Sequence, residues 1–185
     1  NLEEQPIAAT VSWELERLGA PKDKPGANEV LQAVLKKYPA ADAHVAHGSV
    51  ALDGKTPSAL ALPLLPAGGY RVRLSGAGAR GTFSFLVADA KTRAMPLWVP
   101  PIALARQNEY QPGDRADLLI GGGATSGTYH LELWRGSTLV EHRVERGQAV
   151  RVWTLPIEAR EAGGFTARWI GIDGMEKVGG DVTVN

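Results

Sequence analysis

Apolar residues recur at every second position along most of the chain, and this period constrains its fold more than any other feature. In residues 70–74, Tyr70, Val72 and Leu74 fall on one face and the two arginines between them on the other. A β-strand points successive side chains to opposite faces, whereas a helix repeats every 3.6 residues. The same alternation occurs in residues 11–16, 116–120, 129–133 and 165–169. The chain is therefore predicted to be all-β, with short antiparallel strands.

One segment has helical periodicity instead. Residues 29–38 are predicted to form a short helix that packs on the first sheet, with Asn28 as its N-cap and Pro39 as its stop. Its apolar stripe consists of Val30, Leu31, Val34, Leu35 and Tyr38.

A polar stretch at residues 89–93 predicts a boundary between two domains, 1–92 and 93–185. Their size and strand spacing are typical of immunoglobulin-like or fibronectin-like antiparallel β-sandwiches, so two in tandem are predicted, joined at residues 88–98. Strands are predicted near 7–18, 46–52, 58–64, 69–75 and 82–88, and then near 97–105, 114–121, 128–135, 138–145, 148–155, 164–172 and 181–185.

Composition excludes several functional classes. The 185 residues contain no cysteine, which removes disulfides, thiolate metal sites and cysteine nucleophiles. Twenty basic and twenty acidic residues cancel, so net charge gives no reason to expect nucleic acid or an anionic membrane as partner. Since no apolar run is long enough to span a bilayer, no membrane contact is expected. The chain begins without methionine and ends in a predicted strand, so we expect a piece of a longer modular protein.

Two short motifs imitate phosphate-binding loops. Residues 76–81 read G-x-G-x-x-G, but a strand pattern follows them where a dinucleotide site needs a helix. A hairpin loop is therefore predicted there. Gly54, Lys55 and Thr56 imitate the end of a P-loop, but Ser49 stands where its first glycine is required and Pro57 blocks the helix. A β-turn between two strands is predicted instead.

The four histidines do not form a predicted site. His44 and His47 lie near Asp42, and the favoured interpretation is two solvated loop histidines rather than metal ligands. His130 and the segment 141–143 lie on predicted neighbouring strands, but Glu141 and His142 point to opposite faces there. No catalytic, cofactor-binding or metal-ligating residue is predicted, and no cofactor.

The five tryptophans could form an aromatic platform for a sugar or contribute to the core. Trp13 and Trp169 fall on apolar faces and are predicted to be core residues. Trp134 is out of phase with the apolar positions of its strand, so it is expected at the surface or at a module interface.

An ordered set of motifs resembles the macroglobulin domains of bacterial alpha-2-macroglobulins. Residues 109–120 contain a Y-x-P-G-D turn before an alternating strand, and residues 62–72 read L-P-x-L-P-A-G-G-Y-R-V. Further matches lie at 11–18, 129–136, 154–156 and 164–167, and the resemblance covers residues 7–18 and 46–185. Gly113 suits a turn position that needs a positive φ, and Tyr70 is expected to bond to backbone as a tyrosine corner.

The resemblance implies two non-catalytic scaffold domains of a protease-trapping inhibitor. The expected partners are other domains of the parent chain, and proteases held by the full-length protein. Members of the family are usually periplasmic and often tethered to the inner membrane by a lipid, which would precede Asn1. The absence of cysteine means that a thioester would lie outside these residues. Two alternatives stay open: an adhesive or carbohydrate-binding module of a surface protein, and an accessory domain of a hydrolase.

Overall fold

The structure is a computed structural model and describes residues 8–21, 29–76, 78–89, 91–92, 95–159, 163–173 and 176–185, with only the backbone described at 42–44, 123–126, 148–149, 173 and 176. Its elements in chain order are β1 (Ala9–Leu18), α1 (Leu31–Lys37), β2 (Ala40–Leu52), β3 (Gly68–Gly76), β4 (Ala79–Val87), β5 (Ile102–Ala105), β6 (Arg115–Arg135), β7 (Thr138–Pro156), β8 (Phe165–Asp173) and β9 (Glu176–Val184). The chain is thus mostly β with antiparallel sheets, as the alternation predicts.

The first sheet has four strands in the order β2-β1-β3-β4. β1 is central, with Trp13 opposite both Gly48 of β2 and Leu74 of β3. Its Trp13 and Leu15 share an apolar face with Tyr70 and Val72. The opposite face carries Arg71 and Arg73 of β3.

The helix α1 packs on the arginine-bearing face of this sheet, as expected. The helix is shorter than predicted, since it begins at Leu31, and Val30 occupies its N-cap without a side-chain hydrogen bond. The proposed cap, Asn28, lies outside the described residues. The helix ends before Pro39, as predicted.

The strand predicted at 58–64 does not form. Residues 58–66 run irregularly over the apolar face of the first sheet, where Leu60, Leu62 and Leu65 pack against its core. Pro63 and Pro66 lack the amide hydrogens that a ladder needs, which explains why an alternating segment covers the sheet without pairing with it. The alternation in this segment reflects the burial of every second side chain and not pairing with a neighbouring strand.

The second sheet is built on two long strands, β6 and β7, which pair with each other along most of their length. β5 pairs with residues 118–121 of β6, and β8 pairs with residues 130–134 on the same edge. β9 completes the sheet beside β8. The predicted segments 114–121 and 128–135 are therefore parts of one strand, and so are 138–145 and 148–155. The strand predicted at 97–105 starts only at Ile102, after two consecutive prolines.

A bend in β6 lets this sheet fold over its own core in a sandwich-like way. The pairing register with β7 shifts between Gly121 and Ser126. Gly122 has a φ of 104°, and a Cβ there would lie 2.2 Å from the carbonyl oxygen of Pro100. Side chains from both sides of the bend, among them Leu118 and Leu131, enter one buried cluster.

Candidate functional site

The two sheets share a third buried cluster, which we call the junction. It contains Leu18, Val34, Leu35, Tyr38, Leu97, Val99 and Val150. These residues come from β1, from α1 and its C-cap, from the segment between β4 and β5, and from β7 of the second sheet. Burial of such side chains stabilises the contact by roughly 1.5–3 kcal/mol for each large one. The helix α1 therefore shares a buried cluster with side chains of both sheets.

A buried arginine holds the C-terminal end of this helix. The guanidinium of Arg71 donates hydrogen bonds from Nη2 to the carbonyl oxygens of Leu35, Lys36 and Tyr38, at 2.8, 3.1 and 2.9 Å. The last carbonyls of a helix lack intrahelical partners and carry a partial negative charge. Arg71 is only 7% exposed, so it compensates those carbonyls where water cannot reach them easily.

Glu16 balances the charge of Arg71. Its carboxylate lies 3.5 Å from Nη1 of Arg71 and 2.7 Å from Nε of Arg73. Nη2 of Arg73 also donates to the second oxygen of Glu16, at 3.3 Å, which makes that pair bidentate. A buried carboxylate thus bridges a buried and a half-exposed arginine beneath the helix.

The segment between β4 and β5, which links the two sheets and which we call the linking segment, is hydrogen-bonded to the C-cap of the helix as well. The hydroxyl of Tyr38 donates a hydrogen bond of 2.6 Å to the carbonyl oxygen of Trp98. Burial of this phenol, with the nearby charge of Glu29, raises its pKa to about 12. The junction therefore combines apolar packing with directional bonds.

A separate polar surface covers the outer face of the second sheet. Nδ1 of His130 and Nε2 of His142 are 3.0 Å apart. Beside them, Glu132 accepts a hydrogen bond of 2.9 Å from the indole of Trp134, and the guanidinium of Arg168 lies over that indole, 5.7 Å from its centroid. We call these five residues the outer polar face.

An apolar groove of about 570 Å³ opens on the first sheet. It lies between the sheet and the irregular segment 58–62, and Phe83 at its rim is 59% exposed. Ser58 is the one polar residue among the described side chains that line it.

The two phosphate-loop imitations are turns, as predicted. Gly76 pairs with Ala79, so the G-x-G-x-x-G motif closes the hairpin between β3 and β4. After β2, the carboxylate of Asp53 accepts hydrogen bonds of 2.8 Å from the amides of Lys55 and Thr56, which lower its pKa. The strand expected beyond that turn is the missing one at 58–64.

The histidines near Asp42 lie on a strand, and their interpretation as loop residues is wrong. β2 begins at Ala40, six residues earlier than predicted, and includes His44 and His47. His47 is exposed, whereas the side chains of Asp42 and His44 lie outside the described part. Arg143 pairs with Glu141, while His142 turns to the other face, as strand geometry predicts.

The tryptophans are dispersed, so they cannot form one platform. Trp13 is buried in the first sheet and Trp169 in the second, as predicted. Trp153 is buried in the second sheet, and Trp98 packs against the junction. Trp134 is partly exposed on the outer polar face.

Two local details that the sequence predicts, at Tyr70 and at Gly113, are present. The hydroxyl of Tyr70 donates to the carbonyl oxygen of Pro66 at 2.9 Å, which is the geometry of a tyrosine corner. The amide of Asp114 bonds to the carbonyl oxygen of Gln111 at 3.0 Å, and Gly113 has a φ of 99°. The turn at 111–114 therefore has proline and glycine at the positions that type II geometry requires.

Arg71 could not be identified from the sequence alone, because its role depends on the helix that docks over it.

Among the described residues, no group of three or more His, Asp or Glu side chains is placed to hold a metal ion. Nor does that part of the chain contain a helix long and apolar enough to cross a membrane. A scan against models of known protein families and a search of curated proteins both find no match.

Proposed function

We propose that the chain is a rigid, non-catalytic scaffold made of two tandem β-sandwich units of the macroglobulin type. In the first unit the irregular segment 58–66 takes the place of a complete second sheet. In this proposal the parent is a periplasmic protease-trapping inhibitor. A lipid tethers such proteins to the inner membrane in many members of the family. The chain would contact neighbouring domains of that parent, and proteases only through the full-length protein.

The junction is the observation that carries the proposal. A scaffold has to keep a constant angle between its units while other parts of the protein are cleaved or moved. Side chains from both sheets share the buried cluster, and the bond between Tyr38 and Trp98 ties the linking segment to the helix. The tyrosine corner at Tyr70 and the turn at 111–114 support the macroglobulin type, since both occur where the motifs place them.

Distance measurements between spin labels test the rigidity. The chain has no cysteine, so Ser49→Cys and Ser137→Cys would be its only labelling sites, one exposed position in each half. We expect a single narrow distance distribution by double electron–electron resonance. A control pair within the second half, Ser137→Cys with Asp181→Cys, sets the width that one sheet alone produces.

A junction variant completes that experiment. Leu97→Ala removes a side chain that is 5% exposed in the cluster, so it should broaden the distribution between halves and leave the control pair narrow. A broad distribution in the unaltered background would contradict a rigid scaffold. Equal widths with and without Leu97 would show that the junction does not set the angle.

A carbohydrate-binding module is the second candidate, favoured by one observation. Trp134 is partly exposed and lies beside the carboxylate of Glu132, so an apolar ring face and a hydrogen-bond acceptor for sugar hydroxyls are adjacent there. Arg168 lies over the same ring, however, and competes for its face. Isothermal titration with polysaccharides separates the candidates: saturable heat that disappears in Trp134→Ala supports the module, and no heat with either protein supports the scaffold.

A further inference from the structure

The outer polar face brings two histidines from neighbouring strands into contact. His130 on β6 is opposite Val144 of β7, and His142 is opposite Glu132, so the two histidines are diagonal neighbours on one face. Their rings are nearly parallel, at 19°, with centroids 5.3 Å apart, and Nδ1 of His130 faces Nε2 of His142 at 3.0 Å. Both side chains are exposed.

The separation of these nitrogens suits two ligands of one metal ion. Metal–imidazole bonds of about 2.0–2.1 Å place two adjacent ligand nitrogens about 2.9 Å apart at a right angle and about 3.4 Å apart in a tetrahedron. The observed 3.0 Å lies within that interval, and because the two nitrogens now point directly at each other, both rings have to turn so that their lone pairs meet at one ion. Because the pairing of β6 and β7 fixes both backbones, little chain entropy would be lost on binding.

We propose that His130 and His142 form a two-histidine site for a divalent transition metal of the Cu²⁺, Ni²⁺ and Zn²⁺ class. Imidazole nitrogen suits these three ions, and the general affinity order places Cu²⁺ first. To bind, the two rings exchange their mutual hydrogen bond for two bonds to the metal. Each neutral ring then carries its proton on the other nitrogen, Nε2 in His130 and Nδ1 in His142, so no proton is lost from the pair.

The remaining coordination positions face solvent and hold water. Glu132 lies on the same face, directly opposite His142, but its carboxylate is engaged by Trp134 and lies 3.9 Å from Arg168. It therefore contributes negative charge near the ion rather than a third ligand. At such a site, small molecules can replace the bound water as ligands of the metal.

Titration of the untagged full chain with CuSO₄, NiCl₂ and ZnCl₂ tests the site. Isothermal titration should show one strong Cu²⁺ site per chain, with weaker Ni²⁺ and Zn²⁺ binding. Loss of an outer-shell partner alone typically costs about 10–100-fold in affinity, so His130→Ala and His142→Ala should each weaken Cu²⁺ binding at least about tenfold. Since both side chains are exposed, the thermal transitions of these variants should match the parent.

His47→Ala is the matched control, because His47 is an exposed histidine on a strand of the other sheet. It should leave the strong Cu²⁺ site unchanged. Glu132→Gln should weaken binding less than either histidine variant. The proposal is overturned if no saturable site is found, if the two histidine variants keep the parental affinity, or if His47→Ala weakens binding as much as they do.

Discussion

Replacing Arg71 with methionine should strongly destabilise the protein. Methionine keeps most of the apolar stem and removes the guanidinium. Three carbonyl oxygens at the end of α1, those of Leu35, Lys36 and Tyr38, then lose their donor. Glu16 loses one of its two arginines and stays 7% exposed.

The magnitude follows from these losses. A buried acceptor left without a donor costs about 1–3 kcal/mol, and these three cannot be summed fully because the helix end can shift toward water. Removing one partner of a buried ion pair costs about 3–5 kcal/mol, and Glu16 keeps part of its compensation from Arg73. We therefore expect Arg71→Met to lower the free energy of unfolding by about 3–5 kcal/mol, a large part of the roughly 5–15 kcal/mol that a native protein has.

Urea denaturation measures this loss. With a slope of about 2 kcal/mol/M, the midpoint should fall by about 1.5–2.5 M. Arg73→Met is the matched control, because Arg73 pairs with the same Glu16 from the same strand and face, but its side chain is 54% exposed. Its loss should stay near 1 kcal/mol. Arg71→Lys keeps the charge without the planar fork and should fall between the two. Equal losses for Arg71→Met and Arg73→Met would refute the capping role of the buried guanidinium.

Three further changes test other parts of the structure. Tyr38→Phe should reduce the alkaline loss of stability: burial raises the folded pKa to about 12, so ionisation above the ordinary value near 10 favours unfolding. Thermal melts at about pH 9 and about pH 11 check this, and equal alkaline losses in both proteins would contradict it. Ser84→Ala should be neutral or stabilising by up to about 1 kcal/mol in urea, because the buried Ser84 hydroxyl has no partner among the described residues; a clear loss would disprove that. Gly122→Ala should lower the free energy of unfolding by more than about 2 kcal/mol, measured from the urea midpoint, because its Cβ would meet the carbonyl of Pro100. Gly136→Ala should lower it by only about 1 kcal/mol, because Gly136 also has a positive φ but lies in open space. Equal losses for the two glycines would refute the steric argument.

Local patterns predicted most of the strands, because alternation and turn residues depend only on near neighbours in the chain. The turn at 111–114 needed only its proline and glycine, and the bond of Tyr70 spans four residues. The same reasoning failed at 58–64, where alternating leucines face a sheet that they do not join. Alternation measures which side chains are buried, and ladder pairing needs amide donors that the prolines there lack.

The junction and the buried arginine beside it could not be predicted, because none of these residues is unusual alone. Arg71 alternates with apolar residues and therefore resembles an exposed charge on the polar face of a strand. Only the docking of α1 on that face buries it. The outer polar face could not be predicted for a similar reason. The contact of His130 with His142 depends on the pairing register of β6 and β7, and the sequence pattern predicts four short strands in place of these two.

The shortness of α1 explains why the helix and the junction depend on each other. A seven-residue helix without a side-chain N-cap is too short to be stable by itself, since isolated helices below about 12–15 residues are marginal in water. It forms here because Val34 and Leu35 are fully buried in the cluster that the two sheets share and because Arg71 compensates its last carbonyls. Conversely, the helix is what buries Arg71, so without it the guanidinium would be exposed to solvent beside Glu16. Loss of Arg71 should therefore weaken the docking of α1 and, through α1, the buried cluster that the two sheets share.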